Sequence, residues 1–377
     1  MINLGLSSTI FLYLRDVKIL RDLKSYYLKI NLKGNNVMAI KISAGVIGLH
    51  MGARHLKGLV ASGVDVSAIC DIDPAVLKKI GDEYGIPEEK RYTDWRDLLK
   101  IEEMNAVIVA TPDQQHLEQS EAFLAAGKHV MCEKPLALNR RELKAIVNAA
   151  KKANTKFMVG QVCRFTPAFV KAKELIEAGT IGDIFFIESE YAHDYALLLD
   201  GCSEWRRDPE RHGVIGGGCH AVDLIRWLAG DPTEVFAYGN HKLLPGLPHN
   251  DATIAVLKFG SGAIGKVFVS TGCKRNYTMR TLIYGTKGTI ICDNTSDSMQ
   301  LFTIGEDGIS PKKEPEIIPI NVNNHNVVSE FEVFADHIIN DTPVAMSAEE
   351  GAKSIAACLA IVESSTLEKV VIPDYEF

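Results

Sequence analysis

From residue 40 onward the chain alternates short apolar runs with stretches in which apolar residues recur every three or four positions. The run 40–47 predicts a strand, followed by a glycine-bearing turn, Gly48-Leu49-His50-Met51-Gly52. The spacing then predicts a helix over 52–62 and a second strand over 64–70 that ends on Asp71. The same rhythm gives helices over 74–84, 93–99, 113–126 and 139–153, with apolar strands over 106–110, 129–132 and 157–160. Strands alternating with helices in this way predict a parallel, doubly wound sheet, whose ligands sit beyond the carboxyl ends of the strands.

After residue 166 the pattern changes. A helix over 167–178 and a strand over 184–191 lead into an irregular polar stretch that runs to Gly218, then a helix over 220–228. Strands at 234–240, 252–259, 263–271, 279–284, 289–292 and 299–304 follow, and helices over 327–340 and 348–366 close the chain. Helices beside a run of consecutive strands predict a second α/β domain with a large, mostly antiparallel open sheet. In 252–259 and 263–271 both alternating faces are mostly apolar. One helix layer covers only one face of such a sheet, so the other is expected to meet a second subunit, in a homo-dimer or homo-tetramer.

Composition narrows this picture. At 377 residues, 46% hydrophobic and 24% charged, the chain has the make-up of a globular protein large enough for two domains. The boundaries expected are 1–37 as an N-terminal extension or leader, 38–160 as the nucleotide-binding domain and 161–377 as the substrate-binding and oligomerisation domain. A net charge of −7 gives no sign of a nucleic-acid or anionic-membrane partner. Eight cysteines without any C-x-x-C spacing point to reduced thiols in a cytoplasmic protein. The apolar stretch 4–14 has neither a preceding basic segment nor a small-residue cleavage site, so it does not read as a signal peptide. Met38 stands just before the first core strand, and 1–37 reads either as a leader from an upstream start or as an extension that docks on a neighbour.

The candidate chemistry lies at strand ends. A turn that delivers backbone N–H groups to a helix N-terminus is a phosphate cradle. A carboxylate about 20 residues further on, here Asp71, is placed to accept from an adenosine ribose. The turn is one residue shorter than G-x-G-x-x-G and carries His50 inside it, so alone it is equally a tight turn without a ligand. Ile72 and Asp73 follow with no Arg or Lys to receive a 2′-phosphate, which favours NAD over NADP. Lys134, in Glu133-Lys134-Pro135 at a strand tip, can donate to a substrate hydroxyl, or is a solvated lysine in an ordinary turn. His220 and Asp223 share a helix face after Gly216-Gly217-Gly218, a spacing that suits a general base with a carboxylate beside it. A buried structural imidazole is the competing reading, and no second ligand pair supports a metal with Cys219.

The run 106–135, AVIVATPDQQHLEQSEAFLAAGKHVMCEKP, resembles the core signature of the glucose-fructose oxidoreductase, inositol dehydrogenase and rhizopine-catabolism (Gfo/Idh/MocA) family. So do GQVCRFTPAF, GGGCHAVDLIRWLAG, YGTKGTI and AEEGAKSIAACLAIVESS, in that order, from Met38 to the C-terminus. The resemblance implies a Rossmann domain, a second domain whose open sheet forms an oligomer interface, and NAD(P)-dependent hydride transfer at a secondary alcohol of a sugar, sugar acid or cyclitol. It implies that Lys134 touches substrate beside the nicotinamide, that His220 is catalytic and that Asp223 is the acid three residues on. Thr111, Pro112, His116 and Glu133 would flank the cofactor with Gly48 to Gly52, and Trp205-Arg206 matches a W-R pair near it. Arg164 and Tyr191 join Lys134 and His220 as candidate substrate contacts. Relatives often carry an Asp four residues before the catalytic His, where this chain has Gly216; Tyr191, His193 and Asp194 are candidates to fill that gap. The alternatives are a redox-neutral glycoside hydrolase or epimerase using NAD transiently, and a catalytically silent NAD or sugar sensor.

Overall fold

Two sheets organise the computed structural model, which describes residues 41–200, 204–305 and 307–377. The expected extension at 1–37 lies outside the described residues. In the first sheet β1 (Ser43–Ile47), β2 (Asp65–Cys70), β3 (Arg91–Tyr92), β4 (Ala106–Val109), β5 (His129–Glu133) and β6 (Phe157–Gly160) run parallel in the order β3-β2-β1-β4-β5-β6. Every residue of β1, β4 and β6 is buried, as a sheet covered on both faces requires. The helices between the strands are α1 (Leu49–Ala61), α2 (Pro74–Glu83), α3 (His116–Ala125) and α4 (Arg140–Lys152).

The second sheet comprises β7 (Ile184–Ala192), β8 (Pro232–Asn240), β9 (Ala252–Phe259), β10 (Ile264–Ser270), β11 (Thr278–Gly285), β12 (Gly288–Asp293), β13 (Ser298–Thr303) and β14 (Glu316–Pro319). Their order is β14-β13-β12-β11-β7-β10-β9-β8, antiparallel except for the pair β7 and β10. Helix α5 (Pro167–Glu177) precedes the sheet, and the short helices α6 (Ala196–Asp200) and α7 (Gly213–Gly216) lead into α8 (Cys219–Ala229). Two last helices follow, α9 (Val327–Ile339) and α10 (Ala348–Leu367). Buried Val235, Leu257, Val267 and Ile187 form the inner face with α8 and α10, while Tyr238, Ile254, Val256 and Ile264 stand exposed on the other.

Three features depart from the expectations. Helix α1 begins at Leu49, three residues early, because Gly48 itself is the N-cap and the shortened turn leaves no loop. The region read as irregular between 191 and 218 contains α6 and α7, and the short strands β3 and β14 carried too few residues to show a period. Most consequential is α9, which does not stay with the second sheet. Its Phe331, Phe334 and Ile338 share a core with Leu49, Leu56 and Leu59 of α1, and the Met346 carbonyl accepts from Val159 N–H of β6 at 2.9 Å. The first lobe is therefore completed by a returning segment, and each of those buried phenylalanines contributes roughly 1.5–3 kcal/mol to the joint. Among the described residues, no helix is long and apolar enough to cross a membrane.

Candidate active site

The cradle is built by Gly48. Its φ of +82° lies in the left-handed region, and a Cβ there would meet the Ala110 carbonyl oxygen at 2.5 Å. No side chain fits, so the backbone turns tightly from β1 into α1. The Leu49 amide donates to Asp71 Oδ2 at 2.7 Å and the Asp73 amide to Asp71 Oδ1 at 2.9 Å. Asp71 thus clamps the turn to the tip of β2 while each oxygen keeps a lone pair for a ribose hydroxyl. The amides of His50 and Met51, in the first turn, have no intrahelical acceptor and suit a pyrophosphate. The His50 side chain is exposed and leaves that approach open. The donor set fits a dinucleotide with free ribose hydroxyls.

The tip of β5 carries the next layer. Glu133 Oε1 lies 2.6 Å from His55 Nε2, and its Oε2 accepts from the Lys134 amide at 3.1 Å. Burial pushes this carboxyl up, but His55 and Lys134 outweigh that and hold it at about 2. His55, which sequence reasoning passed over, therefore ties α1 to the Glu133-Lys134-Pro135 turn, whose Lys134–Pro135 bond is cis. His116 ties the same turn from the other side: Nδ1 faces the Pro135 carbonyl at 2.9 Å and Nε2 the Thr111 carbonyl at 3.1 Å. Two carbonyls on two ring nitrogens call for an imidazolium. Burial opposes that charge, but Cys132, Asp113 and the Pro135 carbonyl raise the pKa to about 9. His116 and Thr111, whose hydroxyl donates to Gln119, thus brace the segment around Pro112.

Asp113 reaches across to the second lobe. It pairs with Arg211 at 2.6 Å, both side chains buried, and Arg211 packs over the Trp205 ring at 4.8 Å. Trp205 also carries Arg206 at 4.2 Å, and its carbonyl accepts from Gln114 at 3.0 Å, so the W-R pair sits on the seam between the lobes. The Arg211 guanidinium fills the space beside Gly216, where a Cβ would collide with it. Where relatives often carry an aspartate, the volume is held by a cation that serves another carboxylate. Gly217 likewise yields its space to Tyr195 and Tyr191.

His220 opens α8, almost fully buried among rings. Tyr191 stacks on it at 6.2 Å and His325 meets it edge-on at 6.3 Å, itself stacked on Tyr277 at 5.5 Å. Tyr191 Oη contacts His193 Nδ1 at 3.1 Å and Tyr195 Oη at 2.9 Å. Asp194, offered with them for the gap at Gly216, is instead paired with Lys274 at 2.9 Å. Burial, then the Lys134 charge and the imidazoles of His325 and His193, hold His220 well below the ordinary histidine value, so it is a neutral acceptor at pH 7. Burial also opposes the charge on half-buried Lys134, yet Cys219, Glu133, Tyr195 and Asp113 around it raise its pKa above the usual lysine value. A cation and a neutral imidazole thus lie near enough for the Lys134 charge to act on His220, the combination that a proton acceptor and an oxyanion stabiliser require.

Two expectations are corrected by this geometry. Asp223 is not hydrogen-bonded to His220; it accepts from Arg164 Nε at 2.8 Å, Arg164 Nη2 at 2.7 Å and Ser354 Oγ at 2.7 Å. Arg164, expected at the substrate, is spent on Asp223 and Glu350. A planar guanidinium meets a carboxylate at two points, and this outcompetes an imidazole at i−3. His325, Tyr277 and Arg211 were missed because each arrives from a loop or strand end without periodic signal; His325 even takes a left-handed φ of +61°. Among the described residues, no three His, Cys, Asp or Glu side chains group as a metal site.

Fold and site together define a two-domain, NAD-binding oxidoreductase. The sequence matches the oxidoreductase family described as having an NAD-binding Rossmann fold over residues 42–161. It matches the GFO/IDH/MocA C-terminal domain over residues 169–291. The chain belongs to the Gfo/Idh/MocA family. It is 28% identical over 341 residues to myo-inositol 2-dehydrogenase of Thermotoga maritima, covering 86% of this chain and 96% of that one. It is 28% identical over 253 residues to levoglucosan dehydrogenase of Pseudarthrobacter phenanthrenivorans, covering 59% and 63%. A solved structure of levoglucosan dehydrogenase in complex with NADH superposes with a TM-score of 0.80 at 26% identity, covering 88% of this chain and 99% of that one.

Proposed function

We propose that this enzyme oxidises a secondary alcohol of a sugar, sugar acid or cyclitol, with Lys134 and His220 as its catalytic residues. Bound NAD supplies the hydride acceptor. His220, uncharged, takes the hydroxyl proton, and Lys134 orients the same oxygen and stabilises the negative charge that grows on it. Buried Glu133, held ionised, keeps the Lys134 turn in place, and the seam from Asp113 to Arg211 fixes the second lobe against the first. The wall of Tyr191, Tyr195, Tyr277, His193 and His325 presents neutral donors and acceptors to a polyhydroxylated ring. The observation that carries the reading is a charged Lys134 at the tip of the NAD-binding sheet acting electrostatically on an uncharged, buried His220 of the second lobe. The relatives named as inositol and levoglucosan dehydrogenases support the substrate class.

The exposed apolar face of the second sheet, with Tyr238, Ile254, Val256 and Ile264, supports a homo-oligomer built face to face. Among the described residues seven cysteines are free thiols, six of them buried, and suit a reducing, cytoplasmic setting. The test is a panel of cyclitols, anhydrosugars, aldoses and sugar acids with NAD and with NADP, followed by reduced-nicotinamide absorbance. Saturable NADH formation on at least one polyol is expected. Conversion without net NADH, or binding without conversion, would replace this reading with a redox-neutral enzyme or a sensor.

A further inference from the structure

One nitrogen of His220 is free for substrate and the other is held by sulfur. Nδ1 lies 3.2 Å from Cys163 Sγ, and Cys163 Sγ lies 3.4 Å from Met279 Sδ. A thioether has no hydrogen to give, so the one between the two sulfurs belongs to the thiol and points at Met279. Cys163 then has no second hydrogen for the imidazole and can only accept. In that arrangement Nδ1 carries the ring proton, and Nε2, which has no hydrogen-bond partner among the described residues, keeps its lone pair. Met279 Sδ also accepts from Tyr277 Oη at 3.1 Å, which fixes the thioether in turn. Cys163 and Met279 are both buried, so no bulk water competes. Burial, with Asp223 and Cys219 nearby, pushes the Cys163 thiol well above its usual value and keeps it protonated.

We propose that Cys163 and Met279 are positioning residues that hold His220 in the Nδ1–H tautomer, leaving Nε2 as the proton acceptor. The role rests on the dehydrogenase reading, and it is the one a carboxylate would ordinarily fill. The difference has a consequence. A carboxylate would raise the basicity of the imidazole along with fixing its tautomer, whereas a sulfur acceptor fixes the tautomer and adds no charge. The groups that face His220 are then Lys134, His325 and His193, all of which lower its pKa, and the uncharged Tyr191.

The test is 15N NMR of the histidine-labelled enzyme, with the His220 signals assigned by difference from His220→Gln, together with kcat/KM across pH. The wild type should show Nδ1–H. Replacing Met279 by Leu frees the thiol to turn and donate to Nδ1, which favours the wrong tautomer. Replacing Cys163 by Ala merely removes the acceptor. Met279→Leu should therefore shift the tautomer further and lower kcat/KM more than Cys163→Ala, by roughly two- to tenfold, the worth of one hydrogen bond. The double variant should recover to the Cys163→Ala level, and Cys163→Ser, whose hydroxyl can make both contacts, should retain Nδ1–H. An Nε2–H signal in the wild type, or a tautomer unmoved in both single variants, would overturn the proposal. If His220→Gln turned over at the wild-type rate, the dehydrogenase mechanism would fail instead, whatever the NMR showed.

Discussion

Replacing Asp223 by Asn separates a catalytic carboxylate from a structural one. Asp223 is fully buried, and its oxygens take two hydrogen bonds from Arg164 and one from Ser354. The amide keeps the shape but removes the charge, so Arg164 keeps only Glu350, which is itself partly exposed. Breaking one partner of a buried, hydrogen-bonded pair costs about 3–5 kcal/mol. At roughly 2 cal/mol/K of unfolding entropy per residue, a chain of 377 residues loses a little over 1 °C of Tm per kcal/mol, so a fall of roughly 4–7 °C is expected. Replacing both partners with apolar residues, as in D223L/R164M, should recover at least half of that loss, because no charge is left stranded. The assay is thermal unfolding beside steady-state kinetics at a temperature where the variant is folded. A D223N protein with unchanged Tm but a large drop in kcat/KM and a displaced acidic limb would refute the assignment and return Asp223 to the role of His220's partner.

Two further outcomes follow from the first lobe. Gly48→Ala forces a side chain into the left-handed region against the Ala110 carbonyl, which costs about 1–3 kcal/mol and should weaken NAD binding by roughly one to two orders of magnitude, read by equilibrium titration. His116 has its pKa raised from 6.5 to about 9 in the folded state, so its stabilisation is fully present below pH 6.5 and lost as pH rises through about 9. Denaturant unfolding between those limits should show the wild type losing stability that a His116→Gln variant, already lacking it, does not lose; parallel curves would contradict the clamp.

The sequence was most informative where one residue type has one steric or electrostatic job. Gly48 and Asp71 stood at the end of an apolar strand and one βα unit later, and the structure joins them through the Leu49 amide. The continuous burial of β1 and β4 was readable as apolar runs, because a parallel sheet covered on both faces admits little else. What hid were relations between distant segments. Periodicity shows that α9 has an apolar face but not that the face belongs to the first lobe. The i, i+3 spacing of His220 and Asp223 was real, yet spacing along one helix says nothing of Arg164, which arrives from elsewhere and takes the carboxylate. The substitution of Gly216 for an acid was visible, but not that Arg211, five residues back and aimed at Asp113, holds the space beside it.

The central claim is that the Lys134 ammonium and the His220 imidazole act together to move a proton as hydride leaves. Single-turnover rates for Lys134→Ala and His220→Ala, measured at saturating NAD and with the polyol the substrate panel selects, test it most directly. The account predicts a loss of roughly a hundredfold or more in the hydride-transfer rate of each variant, with NAD affinity close to wild type. Near-normal transfer in both variants, or a loss traceable entirely to weakened NAD binding, would contradict it.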